Sequence, residues 1–264
     1  MQDIIVPPLN KEAAEIVHKN WLAVDEVPYQ LGKVEKMVEK YAAICGTPDF
    51  EGKIKSAMLL MCGDHGIAKY GVSAYPQEVT MQMINGYMRG TAGANVMARH
   101  AGADVFVVDM GTTFDLSHLP KVRNEKVAWG TEDFTKGPAM TREQAEMALE
   151  RGMKAAGECI DKGYNMLVTA EMGIGNTTST AAIVSAFTGL APELTVGRGT
   201  GINDERMKVL GNQRPIQKFA YSQYDNLSTS LSAGGLNLRK VYCLVTDDSA
   251  SASELVINAL RGID

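Results

Sequence analysis

The spacing of apolar positions changes early in the chain. Within residues 10–24 and 31–44 they recur every three or four residues, which predicts two helices. Asn10 is placed to cap the first, and Gly46 ends the second, whose stripe is Leu31, Val34, Met37, Val38, Tyr41 and Ala42. Pro28 separates the pair, so residues 1–50 read as a helical extension. From residue 51 onward, short continuous apolar runs alternate with longer helical stretches. The runs at 57–62, 104–110, 165–170 and 241–246 are bounded by glycine or charge and read as strands buried on both faces. A helix is expected over 77–99, with Pro76 in its first turn and a stripe of Val79, Met83, Ile84, Tyr87, Met88, Thr91, Ala92 and Val96. Thr141 and Gln144 form a capping box for a further helix reaching about residue 161, with Gly163 just past its end.

Strand, helix, strand at this spacing predicts an α/β domain over residues 51–264: a doubly wound, mostly parallel, Rossmann-like sheet preceded by the N-terminal helical extension. In such a sheet ligands bind at the carboxyl ends of the strands, so the loops after the apolar runs are where chemistry is expected. A length of 264 residues with 45% hydrophobic content supports a sizeable core. The net charge of −5, with no basic block, argues against nucleic acid or an anionic membrane as partner. The longest apolar run, 57–62, is far short of the roughly 20 residues needed to cross a bilayer. No cationic stretch followed by an apolar core opens the chain, and a cytoplasmic location is expected. Cys45, Cys62, Cys159 and Cys243 are isolated among apolar neighbours and read as buried free thiols rather than metal ligands.

Three loops carry candidate chemistry. After the first strand comes Gly63-Asp64-His65-Gly66, then a segment ending in Ser73, Tyr75 and Gln77. It reads either as a ligand pocket or as a turn held by an Asp–His hydrogen bond. After the third strand comes Glu171, then Gly173, Gly175, Asn176, Thr177, Thr178 and Ser179, leading into an Ala-rich helix over 180–187. Hydroxyl and amide donors at a helix start favour an anion such as phosphate, although a glycine turn with a good cap has the same composition. The GK[ST] of a P-loop is missing, which weakens an ATPase reading. A third glycine loop, 197–201, carries Arg198, which either pairs with a carboxylate or phosphate or is solvated on a surface turn.

The segments GDHGIAKYGVSAYPQEVTMQM (63–83), RGTAGANVMARHAGADVFVVDMG (89–111), EMGIGNTTSTAA (171–182) and VGRGTG (196–201) occur in an order that resembles the nicotinate-nucleotide–dimethylbenzimidazole phosphoribosyltransferase (CobT) family. The resemblance implies transfer of ribosyl phosphate from nicotinate mononucleotide to an aromatic base, with inversion at the anomeric carbon. The products are an α-ribotide for the lower ligand of a cobamide and free nicotinate. It implies no metal and no cofactor. It places Ser73, Tyr75 and Gln82 around the acceptor base, and Gly173, Gly175, Asn176, Thr177 and Thr178 around the nucleotide, with Glu171 and Gly199 close by. Ser249 and Ser251 would lie near the nucleotide phosphate. It also implies a homodimer.

The likeness fades beyond Gly201, and residues 212–224 match nothing in the family. Family members continue past the equivalent of Asp264 and supply there the glutamate that deprotonates the acceptor base. Binding with impaired turnover is therefore expected of the chain as written; Glu171 is the loop carboxylate best placed to substitute, but orienting the ribose hydroxyls is its favoured role. Two alternatives stand beside the enzyme. One is a non-catalytic paralogue that binds nucleotide or base, or pairs with a full-length homologue. The other is an unrelated phosphate-binding enzyme such as a dehydrogenase, which the incomplete dinucleotide fingerprint disfavours.

Overall fold

The structure is a computed structural model and describes residues 7–24, 31–49 and 54–206. These fall into two compact units that divide between Ile54 and Lys55. In the first, α1 (Lys11–Val24) packs on α2 (Lys33–Cys45) through Ala13, Val17 and Ala42, with Trp21 and Val38 alongside. Asn10 Oδ1 accepts from the Ala13 backbone N–H at 3.0 Å, as its capping role requires. Leu31, Val34 and Met37 are exposed, so the buried stripe of α2 is narrower than its spacing suggests.

The second unit holds a four-stranded parallel sheet. Its strands are β1 (Ser56–Gly63), β2 (Ala103–Gly111), β3 (Arg123–Asn124) and β4 (Met166–Met172), in the order β3-β2-β1-β4. Both faces of β1 are covered, which is why its sequence is an unbroken apolar run rather than an alternation. Leu60 and Cys62 face one way, joining Ile84, Tyr87 and Val107 in one core. Ala57 and Leu59 face the other, joining Ala156, Cys159 and Tyr164. The first core is roofed by α3 (Glu78–Arg89) and the second by α5 (Arg142–Asp161). Coverage from both sides is the doubly wound arrangement expected from the sequence.

The start of α5 is fixed by a reciprocal capping box. The Gln144 N–H donates to Thr141 Oγ1 at 3.2 Å, and the Thr141 N–H donates to Gln144 Oε1 at 2.8 Å.

The single helix expected over 77–99 is two. α3 ends where Gly90 turns left-handed (φ 72°) and its N–H closes onto the Gly86 and Tyr87 carbonyls. A second helix, α4 (Gly93–His100), then starts in a new direction. Thr91 and Val96 fall off the buried stripe as a result and are exposed. The third glycine-linked helix, α6 (Asn176–Thr188), begins four residues before the expected 180, and α7 (Pro192–Thr195) follows it. Cys62 and Cys159 are buried as expected, but Cys45 is exposed: the helix pair buries the adjacent turn of α2 through Ala42 and Ala43 instead. The run at 241–246 and Cys243 lie outside the described residues.

Candidate active site

The strand order sets the place. β1 is flanked by β2 on one side and by β4 on the other, so connections leave it in opposite directions and a crevice opens at its carboxyl end. Register carries the two strands there together, with Cys62 opposite Met172. The loops that follow, 63–66 and 171–179, therefore meet although they are far apart in sequence.

Their contact is close enough to exclude side chains. A Cβ on Gly173 would overlap the Gly63 carbonyl oxygen and Asn176 Oδ1. Only glycine lets the end of β4 pass the end of β1 at this distance. Behind it, the Ile174 N–H donates to the fully buried Thr80 Oγ1 at 3.1 Å, which ties the turn to α3.

Three side chains then span the crevice. His65 Nε2 lies 2.7 Å from Asn176 Oδ1. Asn176 Nδ2 donates to Glu171 Oε2. Burial pushes the Glu171 carboxyl above the usual carboxylate range, and the Asn176 bond opposes the shift. Burial also lowers the His65 imidazole pKa, against the Asn176 bond and the nearby Asp64 charge. The three form a polar strut at the first turn of α6, whose N–H groups and dipole favour an anion. Thr177 and Thr178 follow in that turn.

Asp64 does not bind His65. It is 1% exposed, and its Oδ2 accepts from the Thr113 N–H at 2.9 Å and from Thr113 Oγ1 at 3.0 Å. The turn after β1 is instead held by backbone pairing with Thr131, and by Asp133. Burial opposes ionisation of Asp133, but Lys69, Thr135 and Tyr70 outweigh it and hold the carboxyl well below the usual range.

The third glycine loop bridges the two ends of the site. A Cβ on Gly199 would sit 3.8 Å from Thr177 Cβ, beside the first turn of α6. Its neighbour Thr200 bonds Ser73 Oγ at 2.8 Å and accepts from the Ala74 N–H at 2.8 Å. Arg198 pairs with the Asp204 carboxylate and donates to the Ile202 carbonyl at 3.2 Å, so its charge is satisfied within the loop. Tyr75 is 56% exposed and Gln82 lies on the exposed face of α3. Ser249 and Ser251 lie outside the described residues.

Sequence patterns single out the loops, and His65 within the first as a partner for Asp64, but not Thr80 on α3, Thr113 after β2 or Thr200. Their roles depend on partners brought in from other strands, and His65 in a GDHG turn has no local signal that it will meet Asn176. A second concavity of about 250 Å³ lies at the end of β2, beside Asp109, Leu116, Lys126 and Trp129. Lys126 Nζ is engaged there by Asp109 Oδ2 at 2.9 Å, Thr112 Oγ1 at 3.0 Å and the Phe114 carbonyl at 3.2 Å. That cation is a strut for the 112–126 loop. Among the described residues no helix is long and apolar enough to cross a membrane.

Both the sequence and the fold match known proteins. The sequence profile of a family described as Phosphoribosyltransferase matches residues 6–238, so the match runs on past Gly201 and through 212–224, where the motifs alone show no likeness. The nicotinate-nucleotide–dimethylbenzimidazole phosphoribosyltransferase of Chloroflexus aggregans is 37% identical over 255 residues, covering 96% of this chain and 72% of its own. The enzyme of the same name from Geotalea uraniireducens is 41% identical over 234 residues, covering 86% of this chain and 65% of its own. The crystal structure of CobT from Thermus thermophilus superimposes with a TM-score of 0.72 at 35% identity, covering 85% of this chain and 68% of that one. The chain thus spans between 65% and 72% of the length of these relatives. Matched by profile, by sequence and by fold, the chain belongs to the nicotinate-nucleotide–dimethylbenzimidazole phosphoribosyltransferase family.

Proposed function

We propose that this protein transfers ribosyl phosphate from nicotinate mononucleotide to an aromatic nitrogen base of the dimethylbenzimidazole type, releasing nicotinate and an α-ribotide for cobamide assembly. The observation that carries the reading is the meeting of two glycine loops at the adjacent ends of β1 and β4, where an anion-compatible helix start stands beside a half-buried carboxylate. The phosphate is assigned to Gly173, Gly175, Asn176, Thr177 and Thr178, with Gly199 alongside. The acceptor base is assigned to Ser73, Tyr75 and Gln82.

In the reaction the base nitrogen attacks the anomeric carbon, and the bond to nicotinate breaks with its electron pair leaving on the pyridine ring. Attack and departure on opposite faces invert the centre. The acceptor must also lose its ring N–H proton. We assign that proton, and orientation of the ribose hydroxyls, to Glu171. A carboxyl whose pKa is raised by burial is a stronger proton acceptor when ionised than a solvated one. Glu171→Gln tests this assignment against the impaired turnover expected from the sequence: loss of a positioned base should cost about 10²–10⁴-fold in rate, and an unchanged rate leaves Glu171 only the ribose hydroxyls.

The assembly is proposed to be a cytoplasmic homodimer, and light scattering that finds only monomer mass rejects the dimer. The phosphate assignment is tested by a crystal structure with nicotinate mononucleotide. Phosphate at the first turn of α6 is expected, and phosphate elsewhere overturns the site.

A further inference from the structure

We propose that His65 is a positioning residue for Glu171, acting through Asn176, so that the three side chains work as one relay across the crevice between β1 and β4. The inference rests on the assignment of Glu171 to the reaction. An ionised carboxylate only accepts hydrogen bonds, so the side of the Asn176 amide that faces Glu171 must be its Nδ2. That leaves Oδ1, an acceptor, against His65 Nε2 at 2.7 Å. The imidazole must therefore carry a proton on Nε2. Its other nitrogen then faces Thr131 Oγ1 at 3.4 Å.

His65 is itself held firmly. The Thr131 N–H donates to the Asp64 carbonyl and the Gly66 N–H to the Thr131 carbonyl, both at 3.0 Å, which clamps the backbone on either side of it. Gly175 closes from the opposite loop, where a Cβ would stand 3.2 Å from His65 Cβ. An imidazole so placed gives Asn176 one orientation. Without it the amide is free to turn over and present Oδ1 to Glu171. Two acceptors face to face are tolerated only when the carboxyl is protonated. His65 thus opposes the burial that otherwise favours the neutral acid.

Burial keeps the His65 ring neutral, outweighing the Asn176 bond and the Asp64 charge at the end of β1, which both favour the cation. Cys62 on β1 and Tyr87 on α3 face Glu171; burial comes first in raising both, and the Glu171 charge adds to it. Asp109 on β2 also raises Cys62. Asp64 raises Cys62 as well; the Cys62 thiol and the Tyr87 hydroxyl stay neutral as Glu171 ionises, so Asn176 is the group that offsets its burial.

The test reads protonation directly and needs no turnover. The chain has 4 histidines, so ¹⁵N-histidine spectra of wild type and His65→Gln assign His65 by subtraction. The expected result is a neutral ring protonated on Nε2, remaining so below the pH at which free imidazole protonates. Glu171, followed by ¹³C-glutamate NMR with Glu171→Gln for assignment, should titrate at higher pH in His65→Ala and Asn176→Ala. His65→Gln, whose amide N–H can still donate, should return it toward wild type. Given activity, His65→Ala should lower kcat about tenfold at neutral pH, the effect of one charge-assisted bond, with KM for the nucleotide nearly unchanged. A ring protonated on Nδ1, a cationic His65 at neutral pH, or equal Glu171 titration in wild type and a folded His65→Ala overturns the proposal. A wild-type protein that binds but never releases nicotinate would refute the proposed function, while the spectra would still decide the relay.

Discussion

Gly173→Ala asks whether the crevice is as tight as the structure makes it. The new methyl would overlap the Gly63 carbonyl oxygen and Asn176 Oδ1, and the first of these is backbone that cannot swing aside. The ends of β1 and β4 must part, against pairing that runs from Ser56 opposite Met166 to Cys62 opposite Met172. Overpacking of this kind typically costs about 1–3 kcal/mol, and the backbone clash puts this site at the upper end. For a chain of this size that lowers Tm by about 4–10 °C. The site should suffer more, because displacement of reacting groups by about 1 Å can cost 10²-fold in rate. Gly152→Ala on α5 is the control. Its Cβ meets nothing within 4 Å, so helix propensity should dominate and stabilise by about 0.5–1 kcal/mol. The assay is a thermal melt of both variants, with calorimetric titration of nicotinate mononucleotide. A Gly173→Ala protein with wild-type Tm and wild-type affinity would refute the close approach.

Three further outcomes are expected. Asp133→Asn should destabilise by about 1–3 kcal/mol at neutral pH, because Asp133 accepts from Lys69, Tyr70 and Thr135. Because its folded pKa is depressed, that stabilisation is present above the ordinary value of 3.8 and lost as pH falls below it, so the gap between the two melts should close in acid. Thr141→Ala removes half of the capping box and should cost about 1 kcal/mol in denaturant unfolding with nucleotide affinity unchanged. Thr200→Val unties Ser73 and Ala74, and should weaken dimethylbenzimidazole binding about fivefold by titration while leaving the nucleotide unaffected.

Much of the fold can be read from one sequence because the central strands are buried on both faces. The runs at 57–62 and 104–110 mark β1 and β2, each one residue short at both ends. The run at 165–170 begins one residue before β4 and stops two short of its end. β4 is only partly buried, with Thr169 exposed, so its expected burial on both faces is not found among the described residues. β3 is different. Its two residues, Arg123 and Asn124, are polar and pair only at the edge of β2, so no apolar pattern announces them. The break at Gly90 is likewise hidden, because the apolar spacing continues through it while the left-handed residue redirects the chain.

At the site, glycine and hydroxyl content draws attention to both loops. The bonds inside them are not legible, because they depend on strand order. His65 and Asn176 lie 111 residues apart and meet only because β4 pairs with β1 in a particular register. Asp64 illustrates the same limit, since its partner is Thr113 at the end of β2 rather than its neighbour in sequence.

The most direct measurement mixes the purified protein with nicotinate mononucleotide and dimethylbenzimidazole and follows both products by chromatography. Nicotinate and α-ribotide should appear in equal amounts, only when the base is present, and Glu171→Gln should slow both by about 10²–10⁴-fold while retaining nucleotide binding. Nicotinate release that ignores the base, or full turnover by Glu171→Gln, would contradict the account.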